Sequence, residues 1–411
     1  MSKLSKQPPS FDIIAAIRQT NAGRDPQRLA MKYRKMAQSA FVFLRGACHL
    51  YYAALPDSNL TRNAPLVWCC GDLHFENFGS YKGDNRLVYF DINDFDEAAL
   101  APATWDMLRL LSSLQCGATE LHATQKEIAA VSESCVTAYQ QALLKGKPLW
   151  VEAETSSGLI NDLLSSLQKR PRAAFLDKRT TCQDKQRQLN IDGEKALPAS
   201  AEERHSVIEF MAQFAATQPD PAFYKVLDIA QRIAGTGSLG VPRFVVLVEG
   251  KGSPDGNYLL DLKAARPSAL LPQLDRLGIE QPAWPDQASR VVSIQNRLQA
   301  VDHAFLHAVK LQGKPYILKG LQPTEDRVAI GDWGKKLERL KEVAATMGNL
   351  LAWDQLRAAG RSGSASADAL IAFAQGDEWP AEMLATASQM TETTEQQWQV
   401  FVAALNSGEL K

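Results

Sequence analysis

The sequence has no uninterrupted apolar run that is long enough to span a bilayer, and its formal net charge is only −1. A nearly neutral chain lacks the basic field that attracts nucleic acid or an anionic membrane surface. The first ten residues are basic, but no apolar core follows them, which argues against a secretory signal peptide. We therefore expect a cytoplasmic protein without nucleic-acid or membrane partners. Nothing in the sequence indicates its oligomeric state.

The six cysteines show no C-x-x-C spacing, and two of them, Cys69 and Cys70, are adjacent, which makes a disulfide between them implausible. The six histidines form neither an H-E-x-x-H motif nor a cluster with cysteine, which argues against structural zinc. With 45% hydrophobic and 22% charged residues, the composition is that of an ordinary globular protein. The 411 residues are enough for two or three packed units of roughly 150 residues each.

A polar loop after a short apolar run is the first stretch that suggests chemistry. It contains Asp72 and, five residues later, Asn77, and the next apolar run leads into Asp91 and Asp94. Phosphoryl transfer uses one carboxylate to accept a hydroxyl proton, and an amide and a carboxylate to hold Mg²⁺. On this interpretation Asp72 is the base, Asn77 and Asp91 bind the metal, and Asp94 is a second ligand or its support. Alternatively, these are ordinary turn residues and solvated acids.

The second stretch is a glycine-rich turn at 235–240, followed by the β-rich run 243–248, a polar turn and the run 258–263, which ends in a lysine. The glycine spacing is that of a dinucleotide-binding fingerprint, but there the glycines open a helix. Here Pro242 and the β-rich run behind it oppose a helix. We therefore expect a flap over phosphates, with Lys263 as a point charge on them. The predicted phosphate-binding residues are Gly235, Gly237, Ser238, Gly240 and Lys263.

The predicted elements fall into helical parts and one β-rich part. After Lys263 a helix is predicted from about 287 to 301, and two strands follow at 304–311 and 315–321. With the strands around the glycine turn, these make a five-stranded antiparallel sheet, and the fold class is α+β. Helices are also predicted at about 26–54, 104–114, 125–144 and 335–359.

Three units follow from this order. We expect a large helical lobe at 1–228 with the catalytic and metal loops, a small β-rich nucleotide-binding lobe at 229–325, and C-terminal helices at 326–411 that pack on the large lobe. Two charged features leave alternatives open. Arg45 lies in an apolar segment and either reaches water at the rim of the core or pairs with a buried carboxylate. The basic stretch 169–179 is either a solvated loop or a patch that attracts phosphate groups.

The strand, glycine turn, strand, strand with lysine, helix and two strands resemble the small lobe of protein-kinase-like folds. The loop Gly71-Asp72-Leu73-His74 with Asn77 resembles the catalytic loop of aminoglycoside phosphotransferases and related small-molecule kinases. In this resemblance Asp91 matches the metal-binding Asp after the next strand pair, and Asp106 matches a structural Asp. Kinases have the glycine loop before the catalytic loop, whereas here it follows by more than a hundred residues. The resemblance therefore implies a circularly permuted, two-lobed fold.

Over most of its length, roughly residues 27 to 360, the chain is similar to the bacterial family designated domain of unknown function 2252. The similarity implies the fold more than the reaction. The segments that carry it are Phe43-Leu44-Arg45-Gly46-Ala47, Cys70-Gly71-Asp72-Leu73-His74-Phe75-Glu76-Asn77-Phe78-Gly79, Asp91-Ile92-Asn93-Asp94-Phe95-Asp96-Glu97, Trp105-Asp106-Met107-Leu108-Arg109-Leu110, Gly237-Ser238-Leu239-Gly240, Lys263-Ala264-Ala265 and Arg290-Val291-Val292.

Two positions depart from the kinase pattern. No Glu in the helix after Lys263 is placed to pair with that lysine, so Gln295, Gln299 or Asp261 would have to replace it. Cys70 stands where kinases usually have a His before Gly-Asp.

The leading hypothesis is an ATP- and Mg-dependent phosphotransferase that acts on a hydroxyl of an unidentified small molecule. A nucleotidyl (AMP) transferase and a non-catalytic nucleotide-binding sensor are the alternatives, because a fold does not dictate one activity. The permuted-kinase interpretation requires Lys263 and Asp91 to face one cleft, and their placement on opposite sides would contradict it.

Overall fold

The computed structural model describes residues 11–322 and 326–410, so the expectations for residues 1–10 and for a lobe boundary at 325 lie outside the described residues. The chain is α+β, as predicted. The helices are α1 (Ile13–Asn21), α2 (Pro26–Met36), α3 (Ala40–Gly46), α4 (Cys48–Ala53), α5 (Asn59–Arg62), α6 (Thr104–Cys116), α7 (Gln125–Lys145), α8 (Gly158–Gln168), α9 (Arg172–Asp177), α10 (Ala201–Ala216), α11 (Leu271–Arg276), α12 (Gln287–Leu298), α13 (Leu337–Arg357), α14 (Ala367–Ala374) and α15 (Trp379–Asn406). The strands are β1 (Leu66–Cys69), β2 (Phe78–Lys82), β3 (Val88–Ile92), β4 (Ala99–Pro102), β5 (Thr180–Gln183), β6 (Gln186–Leu189), β7 (Ala196–Pro198), β8 (Val226–Arg232), β9 (Arg243–Val248), β10 (Tyr258–Ala264), β11 (His307–Leu311) and β12 (Lys314–Gly320).

The largest sheet has six antiparallel strands in the order β11-β12-β10-β9-β8-β7. The predicted number of five is therefore wrong by one strand, because β7 pairs with β8 through Ala196, Leu197 and Pro198. Three residues that end in proline are too short to show an alternating strand pattern. β7 and the first residues of β8 precede residue 229, where the small lobe was expected to begin.

The two faces of this sheet have different partners, because side chains alternate along each strand. Leu260 and Leu262 of β10 join Met211 of α10 in one buried apolar cluster. Asp261 and Lys263 consequently face the other way, toward a cleft between the sheet and the helical part of the molecule. The alternation therefore puts charged side chains into the cleft while it keeps the opposite face apolar.

The helical part is built around α6, which is buried from Thr104 to Leu114. α15 and α7 pack against α6, and α7 runs along α13. A helix that is buried on all sides also buries its polar residues, so Asp106 and Arg109 of α6 need partners inside the protein. In the described part of the chain, no helix combines the length and the hydropathy needed to cross a membrane.

One helix was predicted at 26–54, but the structure has three helices there, α2, α3 and α4, which are separated by short loops. Ser39 begins α3, since its Oγ accepts the N–H of Val42 at 3.3 Å as an N-cap. The region between 150 and 220 contains the hairpin β5–β6 in addition to helices. The predicted helices that became α6, α7, α12 and α13 agree with the structure within a few residues at each end.

Candidate functional site

A cleft of about 720 Å³ separates the six-stranded sheet from the loops that follow β1 and β3. A smaller pocket of about 70 Å³ adjoins it and reaches Asp72. The two stretches that the sequence singled out, one before residue 97 and one after residue 235, therefore meet at one place. The residues that line both cavities are Arg45, Asn77, Asp94, Asp96, Gly235, Thr236, Ser238, Lys263 and Arg327.

The loop that carries Asp72 is held from below by Asp106 of α6. Oδ2 of Asp106 accepts the N–H of Cys70 at 2.8 Å, and Oδ1 accepts the N–H of Gly71 at 3.0 Å. Burial raises the pKa of Asp106 to about 6, although both N–H groups oppose the rise. Gly71 has φ +87°, and a Cβ at this position would overlap the carbonyl oxygen of Glu97. Only glycine fits here, and it lets the two loops approach each other.

Asp72 forms an ion pair with Arg109, whose side chain is completely buried. Nε of Arg109 donates to Oδ1 of Asp72 at 2.8 Å, and Nη2 donates to the same oxygen and to the carbonyl of Leu44. Burial raises the pKa of Asp72 above its usual value, although the charge of Arg109 opposes this. The pair therefore fixes the orientation of a carboxylate that lines the smaller pocket.

Asn77 and Asp94 provide oxygen atoms at the junction of the two cavities. Nδ2 of Asn77 donates to the backbone oxygen of Asp72 at 2.6 Å, so its Oδ1 is the atom that can face a cation. Burial alone would raise the pKa of Asp94, but Lys263 and Lys319 lower it below its usual value. Asp94 is thus ionised at neutral pH, as a metal ligand must be. Among residues 11–322 and 326–410, no three carboxylate, imidazole or thiol groups converge to hold a metal ion by themselves.

Lys263 reaches across the cleft and pairs with Asp96. The three partners considered from the sequence are engaged elsewhere. Asp261 binds two arginines of β8 and β9, and Gln295 donates its amide to Gln299. The lysine is consequently positioned by the loop after β3 and not by the helix that follows its own strand.

The helix α12 nevertheless contacts that same loop. Nη2 of Arg290 donates to the backbone oxygens of Asp96 at 2.7 Å and Arg266 at 2.9 Å. Gln299 directly follows α12, and its Nε2 donates to the carbonyl of Ile92 at 2.8 Å. α12 therefore supports the loop with Asp94 and Asp96 by bonds to its backbone.

The glycine turn between β8 and β9 is fastened to the N-terminal helices. Nη1 of Arg24 donates to the carbonyl oxygens of Gly237 at 2.7 Å and Leu239 at 2.6 Å. The N–H of Asp25 donates to the carbonyl of Gly240 at 3.4 Å. The turn is thus held at the pocket that it shares with Asp72 by a segment that is distant in sequence.

The predicted phosphate-binding residues of this turn divide into two groups. Gly235 and Ser238 line both cavities and Gly237 lines the smaller pocket, whereas Gly240 lines neither and packs against Arg24. Within the described residues, the N–H groups of Gly237 and Ser238 have no hydrogen-bond acceptor in the protein. Adjacent backbone N–H groups without a protein acceptor are suited to an anion.

Asp91 lies outside both cavities. On β3 it pairs with Gly79, and its carboxylate lies near Asp354 and Arg357 of α13. Burial raises the pKa of Asp91 to about 6 and that of Asp354 well above its usual value. The sequence-based requirement that Lys263 and Asp91 face one cleft is not met. Asp94, three residues farther along, does face the cleft with Lys263.

Several cleft residues were not identified from the sequence. Burial raises the pKa of Glu97 to about 7, and this side chain accepts the N–H of Ala269. The acidic run after β3 could have indicated Glu97. The arginines of the smaller pocket that were not identified are Arg24, Arg266 and Arg327, and nothing in the local sequence marks them as a group.

The structure shows the surroundings of Arg45 and of the basic stretch 169–179, for each of which the sequence left two interpretations. Nη1 of Arg45 pairs with Oε2 of Glu76 at 2.6 Å, and the Arg45 side chain is 13% exposed, so Arg45 is a half-buried partner of a carboxylate. In the basic stretch, Arg172 lies over the ring of Tyr258 at 3.8 Å, while Lys178 lines the larger cavity. The stretch is therefore neither a uniform solvated loop nor a single patch.

A family model described as "Uncharacterized protein conserved in bacteria (DUF2252)" matches residues 24–404. The chain belongs to this family. The match confirms the family similarity that the motifs indicated, and it spans both the loop of Asp72 and the glycine turn. No curated protein and no solved structure matches the chain.

The cleft of this DUF2252 chain unites four kinds of group. Asp72 has a raised pKa and can accept a proton. Asp94 and Asn77 present an ionised carboxylate and an amide oxygen, which are ligands of hard cations. Lys263 and the N–H groups of the glycine turn are positive and suit phosphate oxygens. The arrangement can therefore move a proton, hold a divalent cation and bind a polyphosphate.

Proposed function

We propose that the protein is an ATP- and Mg-dependent phosphotransferase that acts on a hydroxyl of a small molecule. The observation that carries the proposal is the convergence of Asp72, Asn77, Asp94 and Lys263 on the smaller pocket. The glycine turn lines the same pocket, and within the described residues its Gly237 and Ser238 N–H groups have no protein acceptor. Phosphoryl transfer needs these parts and little covalent chemistry from the protein.

The topology around the cleft supports a kinase-like fold. In protein kinases a glycine-rich loop covers the phosphates, a lysine lies on the third strand, and the catalytic Asp precedes a metal-binding Asn by five residues. Here the glycine turn joins β8 to β9, Lys263 lies on β10, and Asn77 follows Asp72 by five residues. The form of the permuted-kinase interpretation that required Asp91 in the cleft fails, because Asp91 lines neither cavity. Because the sheet follows the catalytic loop in the chain, the proposed fold is a circular permutation of the kinase order in which Asp94 takes the metal-binding place.

Asp72 is the proposed base. The acceptor hydroxyl oxygen forms a bond to the γ-phosphorus, the bond from that phosphorus to the oxygen of the departing ADP breaks, and the hydroxyl proton passes to Asp72. Arg109 holds Oδ1 of Asp72, so the carboxylate is oriented before the acceptor binds. Burial raises the pKa of Asp72, so this carboxylate is a stronger base than a fully solvated one.

Asp94 and Asn77 are the residues that fit a magnesium ion. Mg²⁺ is commonly bound by one or two protein oxygens together with substrate phosphates and water, so a complete protein cage is unnecessary. When bound, the ion would neutralise charge on the phosphate oxygens. Asp96 stays paired with Lys263 and so positions the lysine on the phosphates. Asp91 has no part in this site.

The sheet side of the larger cavity offers a surface for the nucleotide base. The apolar side chains of Val245, Leu259 and Ile317 line it, and they come from three neighbouring strands. A purine ring can be buried against such side chains, while its phosphates extend toward Lys263.

ATP labelled at defined positions tests the proposal. Purified protein is incubated with Mg²⁺, a mixture of small-molecule hydroxyl acceptors and ATP carrying label at either the γ- or the α-phosphate. Transfer of γ-label supports the proposal. Transfer of α-label would instead indicate a nucleotidyl (AMP) transferase, and binding without transfer to any acceptor would indicate a nucleotide sensor.

A further inference from the structure

The pocket beside Asp72 has an excess of arginine. Arg24, Arg45, Arg266 and Arg327 all line this pocket of about 70 Å³, together with Asp72. Phosphate binding by Lys263 and the glycine turn does not account for four guanidinium groups around the pocket of Asp72. Their hydrogen bonds show which of them are engaged by the protein.

Two of the four are committed to the fold. Nη1 of Arg24 donates to the carbonyls of Gly237 and Leu239, which holds the glycine turn. Arg327 pairs with Oε2 of Glu76 at 3.0 Å. The contacts of these two arginines explain their positions, although Nε of Arg24 is buried without a hydrogen-bond partner.

Arg45 and Arg266 are less fully occupied. Nη1 of Arg45 shares Oε2 of Glu76 with Arg327, and Nε of Arg45 is buried without a hydrogen-bond partner. Within residues 11–322 and 326–410, the guanidinium of Arg266 forms no ion pair or hydrogen bond. The buried N–H of Arg45 costs free energy without an acceptor, so a ligand that supplies one binds favourably there, and the exposed guanidinium of Arg266 is available to the same ligand.

The position of Arg266 assigns it to the acceptor side. It follows Lys263 by three residues and lines the smaller pocket with Asp72, but it does not line the larger cavity against the sheet. Arg45 lines both cavities and so lies at their junction. A group bound between these arginines would lie beside the carboxylate of Asp72.

The carboxylates in this pocket do not fully offset its cationic side chains. Asp72 is paired with Arg109, which lies outside the pocket lining, and Asp96 is paired with Lys263. Asp94 and Glu97 also line the pocket, Asp94 close to Lys263 and Glu97 accepting the N–H of Ala269. Five cationic and four acidic side chains therefore line the pocket, which leaves a small excess of positive charge.

We infer that the acceptor of the phosphoryl group carries an anionic group, a carboxylate or a phosphate, which Arg266 and Arg45 bind beside Asp72. This rests on the proposed phosphotransferase function. Guanidinium groups bind both anions through paired N–H donors, and this would hold the acceptor hydroxyl at the base. The polycationic aminoglycosides, which the catalytic-loop resemblance would suggest, are repelled by the same charges.

Binding of small probes tests the inference without requiring phosphoryl transfer. Glycerol 3-phosphate, glycerate, glycerol and an aminoglycoside are titrated by calorimetry into the full-length protein with saturating ADP and Mg²⁺. We expect glycerol 3-phosphate, glycerate or both to bind, and glycerol and the aminoglycoside to bind at least about tenfold more weakly. Whichever anion binds identifies the source of the negative charge.

Arg266→Gln is the decisive variant, because Arg266 is exposed and its replacement leaves the core intact. It should weaken binding of the anionic probe about tenfold or more, and Arg266→Glu should abolish binding. Arg62→Gln is the matched control, since Arg62 is an exposed arginine that pairs with Asp57 away from the cleft, and it should have no effect. Anion binding that survives Arg266→Glu, or no binding of either anion to the wild-type protein, would overturn the inference.

The same samples separate failure of the inference from failure of the proposed function. Arg266-dependent anion binding without transfer of γ-label to any acceptor would leave the anion site intact and refute the phosphotransferase. Transfer of γ-label to glycerol or an aminoglycoside, unaffected by Arg266→Gln, would support the phosphotransferase and refute the anionic acceptor.

Discussion

Arg109 donates from Nε to Oδ1 of Asp72 at 2.8 Å, and it does so from the interior of the most buried helix. The two residues lie in different segments, but their pairing solves two problems together. The buried guanidinium obtains a counter-charge, and the carboxylate obtains a fixed orientation. The orientation of the Asp72 carboxylate is therefore set by a residue of the core and not by its own loop.

Replacing Asp72 by Asn tests its role as the base. Asn keeps an oxygen for the N–H groups of Arg109 but accepts no proton, so transfer of γ-label should fall by about 100- to 10,000-fold. Nucleotide binding depends on Lys263 and the glycine turn and should be retained. Label transfer and ATP affinity, measured on the same preparation, check both expectations.

Asp57→Asn is a suitable control for this variant, because Asp57 is an exposed carboxylate that pairs with an exposed arginine. It should leave transfer unchanged. If Asp72→Asn transferred phosphate at the wild-type rate, Asp72 would not be the base.

Asp91 and Asp94 show where local sequence was insufficient. Both follow an apolar run, and the sequence favoured Asp91 because it comes directly at the end of the predicted strand. In the structure, β3 continues to Ile92 and buries Asp91 against α13. A shift of one residue along a strand exchanges its two faces, so the side that Asp91 takes depends on strand pairing that the sequence does not show.

Asp94→Asn and Asp91→Asn should therefore behave differently toward magnesium. Loss of the Asp94 charge should weaken the Mg²⁺-dependent part of ATP binding by about 10- to 100-fold, a range known for disturbed metal sites. Asp91→Asn should leave that dependence unchanged, because Asp91 lines neither cavity. ATP titrations at increasing Mg²⁺ measure the effect. The reverse result would make Asp91 the metal ligand and would contradict a magnesium site at Asp94.

Much of the fold was predictable because it follows from local pattern. The helices α6, α7, α12 and α13 have strong apolar periodicity, and the strands β9, β10 and β12 have clear ends. β7 was not predictable, since three residues become a strand only by pairing with β8. The break between α2 and α3 was also missed, because its signal is one Ser cap within a long apolar pattern.

The site was predictable in its motifs but not in its pairings. Asp72, Asn77 and Lys263 lie in recognisable local contexts, so the sequence identified them. The pairing of Lys263 with Asp96 joins segments that are 167 residues apart, and no periodicity encodes that contact. Arg24 and Arg266 likewise reach the cleft only because the chain folds back on itself.

Buried carboxyl groups should make the protein less stable as the pH rises. Burial raises the pKa of Asp91 and of Asp106 to about 6 and that of Glu97 to about 7. Each raised folded-state pKa contributes stability that is complete below the unfolded value of about 4 and is lost as the pH rises through 6 to 7. The free energy of unfolding should therefore be lower at about pH 8 than at about pH 5.

Asp91→Asn should make this dependence shallower, since it removes one titrating member of the pair with Asp354. Urea unfolding at the two pH values measures the difference. Asp275→Asn, at an exposed position on α11, should retain the wild-type dependence. A wild-type protein whose free energy of unfolding rises between about pH 5 and pH 8 would contradict the raised pKa values of these buried acids.

Gly71→Ala should both destabilise the protein and reduce transfer, because a Cβ would overlap the carbonyl oxygen of Glu97 and the residue has φ +87°. Gly278→Ala is the matched control, with φ +70° and no atom within 4 Å of the added Cβ. Backbone strain alone should cost the control about 1 kcal/mol, whereas overlap should bring the cost at Gly71 to about 3 kcal/mol or more. Denaturant unfolding gives both values, and label transfer should fall only in Gly71→Ala, since displacement from Glu97 also moves Asp72. Equal costs would mean that the two loops are not in contact.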